Sequence, residues 1–162
     1  MKQANKHVRL TFIQDHQRHY YMEYLLLADE SEIVISEYIN DGDMFAVYAG
    51  ELLVGVALFT FHSDQIVELK NIAISPTYRG QGVGKAVIQE ACSLYRGQGL
   101  YKMIVGTANS SIANIAFYQK VGFRMAEVKR DFFLNYPEPI FEDGIRALDM
   151  IMFDKILNER KY

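Results

Sequence analysis

The chain has 162 residues, half of them hydrophobic and 23% charged, with a formal net charge of −3. That length suits one domain around one core, and the apolar content argues against disorder. The absence of a cationic surplus argues against nucleic acid or an anionic membrane surface as a partner, and no apolar run approaches the ~18 residues of a spanning helix.

Met1-Lys2-Gln3-Ala4-Asn5-Lys6 leads into a strand-like stretch and not into an apolar helix, so it does not read as a signal peptide. A soluble cytoplasmic protein is expected. Val8–Ile13 is short and β-rich, while Tyr20–Ala28 and Ile33–Ile39 carry apolar residues at helical spacing. Phe45–Ala49 and Leu52–Phe61 are two β-runs joined at Gly50-Glu51, which suits a tight hairpin. Ile66–Ser75 is another strand, closed by Pro76, which cannot donate to a ladder.

Val83–Tyr95 reads as a helix, with Val83, Val87, Ile88, Ala91, Leu94 and Tyr95 on one stripe and Gly97 and Gly99 as the stop. It contains the single cysteine, Cys92, which has no internal disulfide partner and reads as a small buried hydrophobe. Lys102–Thr107 is a short strand. Ile112–Val121 is a second helix, with Ser110-Ser111 as candidate caps. Phe123–Leu134 and Ile145–Phe153 are late strands, separated by a loop from Asn135 to Gly144. A hairpin-rich first half feeding a strand–helix–strand unit gives an α/β (α+β) fold, a mixed sheet with helices on both faces.

Arg79-Gly80-Gln81-Gly82-Val83-Gly84-Lys85 sits where a strand passes into a helix. A helix N-terminus carries unpaired N–H groups and about half a positive charge, which attracts phosphate. Glycines let a pyrophosphate approach those donors and tolerate positive φ, and Arg79 and Lys85 add charge and donors. The Walker pattern does not fit, because Lys85 is followed by Ala86. The dinucleotide pattern Gly-x-Gly-x-x-Gly does not fit either, because the glycines fall at 80, 82 and 84. Composition alone leaves an ordinary glycine-rich turn as the alternative.

The sequence resembles the GNAT superfamily of acetyl-CoA-dependent N-acetyltransferases. The family's [Arg/Gln]-x-x-Gly-x-[Gly/Ala] is met by Arg79, Gly82 and Gly84, and Phe117-Tyr118-Gln119-Lys120-Val121-Gly122-Phe123 is similar to its aromatic-Tyr-x-Lys-x-Gly-Phe segment. Two motifs at the right separation, on the right elements, are far more specific than one. The match is strong over Glu68–Phe123 and topological elsewhere.

The resemblance implies a single N-acetyltransferase domain over 1–162, with a mostly antiparallel sheet and a central splayed strand pair. It implies acetyl-CoA as cosubstrate. Main-chain groups of Ile72, Ala73 and Ile74 would pair with pantetheine, and the N–H near Ile72 would steady the acyl oxygen. The backbone of Arg79, Gly80, Gln81, Gly82, Val83, Gly84 and Lys85 would hold the pyrophosphate. Asn114 stands where the family often places a polar contact to coenzyme. The position of its commoner asparagine is Ser111 here, and Asn109 is the substitute. Tyr118 is the implied acid toward the departing thiolate. Glu68, which interrupts an apolar strand, is the implied base, directly or through water; the alternative is a surface carboxylate paired with Lys70.

The histidines show neither metal-ligand spacing nor a triad context. His62 reads as a surface residue, the one histidine that a strand end could carry toward the acceptor side. The acceptor is expected to be a small-molecule or peptide primary amine, bordered by Asp29, Glu30, Glu32, Glu37, Asp41 and Asp43 and by Glu138, Glu142 and Asp143. Tyr20, Tyr21, Tyr24, Phe132, Phe133, Tyr136 and Phe141 lie among them. The same carboxylates also read as ordinary helix-surface charges. A monomer or homodimer is expected, and a silent acyl-CoA-binding module is the competing function.

Overall fold

The computed structural model describes residues 7–63 and 65–160, so the segment Met1–Lys6 lies outside the described residues. Seven strands form one mixed, mostly antiparallel sheet, accompanied by four α-helices. Two compact units are distinguished. One takes the chain up to Thr60 together with Lys70–Leu94, and the other takes Phe61–Leu69 and the chain from Tyr95 onward.

In the first unit β1 (Val8–Phe12) runs antiparallel to β2 (Asp43–Ala49), and β2 runs antiparallel to β3 (Leu52–His62). The next neighbour is β4 (Ile66–Ile74), whose second half belongs here. Helices α1 (Met22–Leu25) and α2 (Glu32–Tyr38) supply Leu25, Ile35 and Tyr38 to a core with Met44, Val56, Leu58 and Ala73. The Ser31 hydroxyl caps α2 by accepting from Val34 N–H at 3.3 Å. Gly55 permits a close strand approach, since a Cβ there would lie 2.2 Å from the Ala73 carbonyl oxygen. Helix α3 (Val83–Gly97) contributes Val83, Val87, Ile88 and Ala91 to the buried set.

The expectation of one helix over Tyr20–Ala28 is corrected. Asp15–Tyr21 is a 3-10 segment, and α1 is a single turn after it. The cause is Arg18, whose guanidinium is fully buried. Its nitrogens donate to the carbonyls of Ile39 (3.0 Å), Asp41 (2.8 Å) and Gly42 (2.8 Å), with a longer contact to Ile13 (3.4 Å). The tighter segment holds Arg18 against the carbonyls released at the end of α2.

In the second unit Ile66–Leu69 of β4 pairs in parallel with β5 (Lys102–Ala108). β5 pairs antiparallel with β9 (Met150–Ile156), and β9 with β6 (Arg124–Lys129). Val67, Leu69, Met103, Val105 and Phe153 are buried beside Tyr118 of α4 (Ile112–Lys120). A separate two-residue ladder joins β7 (Phe141–Glu142) to β8 (Ile145–Arg146).

Three further expectations change here. The strand expected over Phe123–Leu134 ends at Lys129, because Asp131 turns left-handed at φ 62° and Phe132–Asn135 follows as a 3-10 turn. The strand expected over Ile145–Phe153 divides into β8 and β9. Between them the Asn109 Oδ1 accepts the N–H groups of Leu148 (2.8 Å) and Asp149 (3.0 Å), which draws them out of the ladder. Neither candidate cap uses its hydroxyl to close α4. Ser111 donates instead to Glu142 Oε1 at 2.8 Å, and Ser110 Oγ is buried without a partner among the described residues.

Candidate active site

The glycine turn of the first unit starts with a 3-10 turn at Pro76–Tyr78, where proline takes a position whose N–H is not needed. Gly80 and Gly82 follow with φ of 74° and 81°, a region costly for any residue with a Cβ. Ala86 N–H bonds to Gly82 O at 3.1 Å and closes the first turn of α3. The N–H groups ahead of it belong to a helix start and have no acceptor four residues back. Arg79, Gly80, Gln81, Gly82 and Lys85 are exposed, Gly84 is half-buried and Val83 is buried. Two side chains brace the turn: Arg79 Nε donates to Ile74 O at 3.0 Å, and Gln81 Nε2 donates to Thr77 O at 3.0 Å. An exposed row of main-chain donors next to two cations suits a diphosphate.

Directly before this turn, β4 has a partner on only one side. Ser75 N–H bonds to Val54 O at 2.8 Å on the β3 side, whereas the pairing with β5 ends at Leu69↔Val105. By alternation Ala73 turns its main-chain groups to β3, while Ile72 and Ile74 turn theirs the other way, past the end of the ladder to β5, with the Ile74 carbonyl already accepting from Arg79. Such an edge is a template for an extended group with amide donors and acceptors.

Asn71, in the same stretch, was not singled out in the sequence. It is buried, and its Nδ2 donates to Leu25 O (3.0 Å) and to Tyr38 Oη (3.1 Å), while its Oδ1 has no partner among the described residues. The carbonyl of Leu25 fixes the amide's orientation, because only a nitrogen can donate to it. Tyr38 passes the chain on by donating to Asp29 Oδ2 at 3.0 Å. The sequence signal was a polar residue inside an apolar run.

In the second unit Tyr118 is buried at 5% exposure, with its ring against Phe123 and Phe153, each 5.8 Å between centroids. Burial pushes its phenol up from the ordinary range, so the hydroxyl holds its proton. Glu68 also belongs to this unit, with its side chain 15% exposed, and its Oε1 lies 2.8 Å from Nε2 of His62, which is 48% exposed. A carboxylate oxygen only accepts, so Nε2 carries the hydrogen. Glu68 is in register with Ile104 and Ile104 with Asp154, whereas Leu69 is in register with Val105 and Val105 with Phe153. Since neighbouring residues alternate faces, Tyr118 covers the Leu69 face and Glu68 projects from the other.

The two asparagines differ. Asn109 donates from Nδ2 to Arg146 O at 3.1 Å and uses Oδ1 for Leu148 and Asp149, so most of its capacity is spent within the chain. Asn114 is exposed, with one long contact of 3.4 Å to Thr107 Oγ1. Of the acidic residues expected around an acceptor, Asp29 is bonded to Tyr38 and Glu142 to Ser111. Glu30, Glu32, Glu37, Asp41, Glu138 and Asp143 are exposed. Phe132 meets Phe133 edge to face and Phe133 meets Tyr136 at a tilt, with centroids 5.1 and 5.2 Å apart. No helix among the described residues is long and apolar enough to cross a membrane, and no group of three or more potential ligands is placed to hold a metal there.

Residues 7–123 match the sequence profile of the Acetyltransferase (GNAT) family. An uncharacterised N-acetyltransferase of Bacillus subtilis (strain 168), YvbK, is 38% identical over 128 residues, covering 78% of this chain and 83% of that protein. A GNAT family acetyltransferase from Elizabethkingia anophelis, solved with acetyl-CoA bound, is 30% identical with a TM-score of 0.86, covering 95% of this chain and 99% of that one. An IAA acetyltransferase from Bacillus cereus ATCC 14579 is 34% identical with a TM-score of 0.85, covering 93% and 99% respectively.

Proposed function

The chain belongs to the GNAT family of acetyltransferases, and on that premise we propose that it transfers acetyl from acetyl-CoA to a primary amine by direct attack within a ternary complex. The observation that carries this reading is the exposed glycine turn opening α3, immediately after a β4 edge that β5 leaves unpaired. The residues present fit the cosubstrate. The N–H groups from Gly80 to Lys85 and the Arg79 and Lys85 side chains would hold the pyrophosphate, the Arg79 N–H being bonded to Pro76 O. The outward main-chain groups of Ile72 and the Ile74 N–H would pair with the amide-bearing pantetheine arm, the Ile74 carbonyl being shared with Arg79, and Asn114 would add a polar contact. A coenzyme contact from Asn109 would have to use its second amide hydrogen. The relative solved with acetyl-CoA bound supports the same cosubstrate here.

Acetyl-CoA supplies the activated acyl group. The protein's part is to orient the amine, take a proton from it, and give one to the departing thiolate. Tyr118 is the donor to sulfur, and its buried phenol is kept protonated for that purpose. Glu68 is the carboxylate that drives removal of the ammonium proton, directly or through one intervening group. The Ile72 N–H is the donor to the acyl oxygen. The ring cluster of Phe132, Phe133 and Tyr136 and the exposed Glu138 and Asp143 of the same unit favour a cationic acceptor.

The test is thiol release from acetyl-CoA, followed with dithionitrobenzoate, across simple amines, polyamines, amino sugars and short peptides. Amine-dependent release with acetylated amine as product is expected. Calorimetric binding of acetyl-CoA with no release across the whole panel would replace this reading with that of a silent acyl-CoA-binding module.

A further inference from the structure

We propose that the group standing between Glu68 and the acceptor amine is His62, which takes the ammonium proton on Nδ1 while Glu68 acts through it. This rests on the reading above, in which Glu68 belongs to the basic side of the reaction.

Three observations carry it. The Nε2–Oε1 separation of 2.8 Å is a full hydrogen bond, and of the two side chains the imidazole is the exposed one at 48%, against 15% for the carboxylate. The carboxylate accepts the Nε2 hydrogen, so in the neutral ring the lone pair must be on Nδ1. That is the division of labour in which a sheltered carboxylate selects the tautomer and stabilises the imidazolium once it forms. The third observation is the surroundings. Glu68 is flanked in register by the aliphatic Ile104, and the charges beyond it are already matched, with Lys102 Nζ 3.9 Å from Asp154 Oδ2. Within this unit the imidazole is a direct hydrogen-bond partner of the Glu68 carboxylate.

The proton count closes. One N–H proton of the ammonium passes to Nδ1, freeing the nitrogen's electron pair. That pair bonds to the acyl carbon, and the carbon–sulfur bond breaks. The sulfur takes the Tyr118 proton, the imidazolium returns its proton to water, and the proton lost from the amide nitrogen restores the phenol through solvent. No oxidant or further reactant is required.

The experiment compares wild type with His62→Ala, His62→Gln, Glu68→Gln and the double variant His62→Ala/Glu68→Gln. The acceptor is whichever of spermidine, glucosamine, tyramine or an alanine-initiated tetrapeptide turns over fastest, and turnover of none of them overturns the proposal together with the reading it rests on. His62→Ala is expected to lower kcat about 10²-fold with KM for acetyl-CoA unchanged. Free imidazole should restore rate to His62→Ala but not to Glu68→Gln. The double variant should be no slower than His62→Ala alone, because two residues acting as one unit are not additive. Far-UV circular dichroism establishes that each variant is folded, and His62→Gln covers the case in which the alanine variant is not. A slow Glu68→Gln beside a wild-type His62→Ala would overturn the role of His62 and leave Glu68 as the base. Wild-type turnover in Glu68→Gln would overturn both readings.

Discussion

Glu68 and Tyr118 stand on opposite faces of the same sheet, separated by its thickness. Glu68 shares its face with Ile104 and Asp154, while the Tyr118 ring lies against Phe153, which is in register with Val105 and, through it, Leu69. In the proposed reaction Glu68 would therefore act from the first face and Tyr118 from the second.

Removing only the hydroxyl tests that polarity. Tyr118→Phe keeps the ring that packs on Phe123 and Phe153, so folding and acetyl-CoA affinity should change little. Turnover should fall at least about 10²-fold. Steady-state kinetics with calorimetry decides the matter, and lost affinity at unchanged turnover would contradict the acid role.

The buried phenol also makes stability depend on alkaline pH, with a definite sign. Burial raises the folded-state pKa of Tyr118, so above the ordinary tyrosine value of about 10 the unfolded chain releases a proton that the native chain keeps. Stability then falls as pH rises past that value, and below it the contribution is constant. Urea unfolding at pH 9, 10 and 11 should show Tyr118→Phe gaining on wild type as pH climbs. Parallel curves would remove the buried titration from consideration.

At the glycine turn, Gly82 has φ of 81° and nothing within 4 Å of where a Cβ would stand. The obstacle to a side chain is therefore backbone conformation and the approach of a ligand, not a clash inside the protein. Gly82→Val should cost about 1–2 kcal/mol in stability and weaken acetyl-CoA at least about tenfold while the protein stays folded. Unimpaired binding by the folded variant would argue against a pyrophosphate at this turn.

Arg18 is a stability residue. Replacing it with Met leaves the carbonyls of Ile39, Asp41 and Gly42 without their donors, a loss of about 3 kcal/mol or more. Lys should not rescue it, since one ammonium cannot reproduce a planar fork. Asp15→Ala should be nearly neutral, because Asp15 is 73% exposed and its pairing with Arg18 is screened. Chemical denaturation ranks the three, and a mild Arg18→Met would show that water replaces the lost donors.

Where local chemistry and tertiary structure agree, the sequence was readable. The glycines at 80 and 82 do adopt left-handed φ, and the stripe from Val83 to Tyr95 is a helix over Val83–Gly97. What stayed hidden depends on contacts distant in the chain. Arg18 reaches residues 39 to 42, Asn109 reaches 148 and 149, and neither partner leaves a mark on its own neighbourhood. His62 reads as a lone surface histidine because the carboxylate it contacts, Glu68, lies across a strand turn. The acceptor side was the least legible, since exposed carboxylates are equally at home on any helix surface.

Asn109 and Ser111 have one more effect. They grip the 130–149 stretch from inside, the first through Arg146, Leu148 and Asp149 and the second through Glu142. Freedom that this stretch would otherwise surrender on meeting a ligand has already been given up during folding. Cutting those tethers would release the stretch from Glu142 to Asp149, and any molecule it recognised would bind more weakly without losing a single contact of its own.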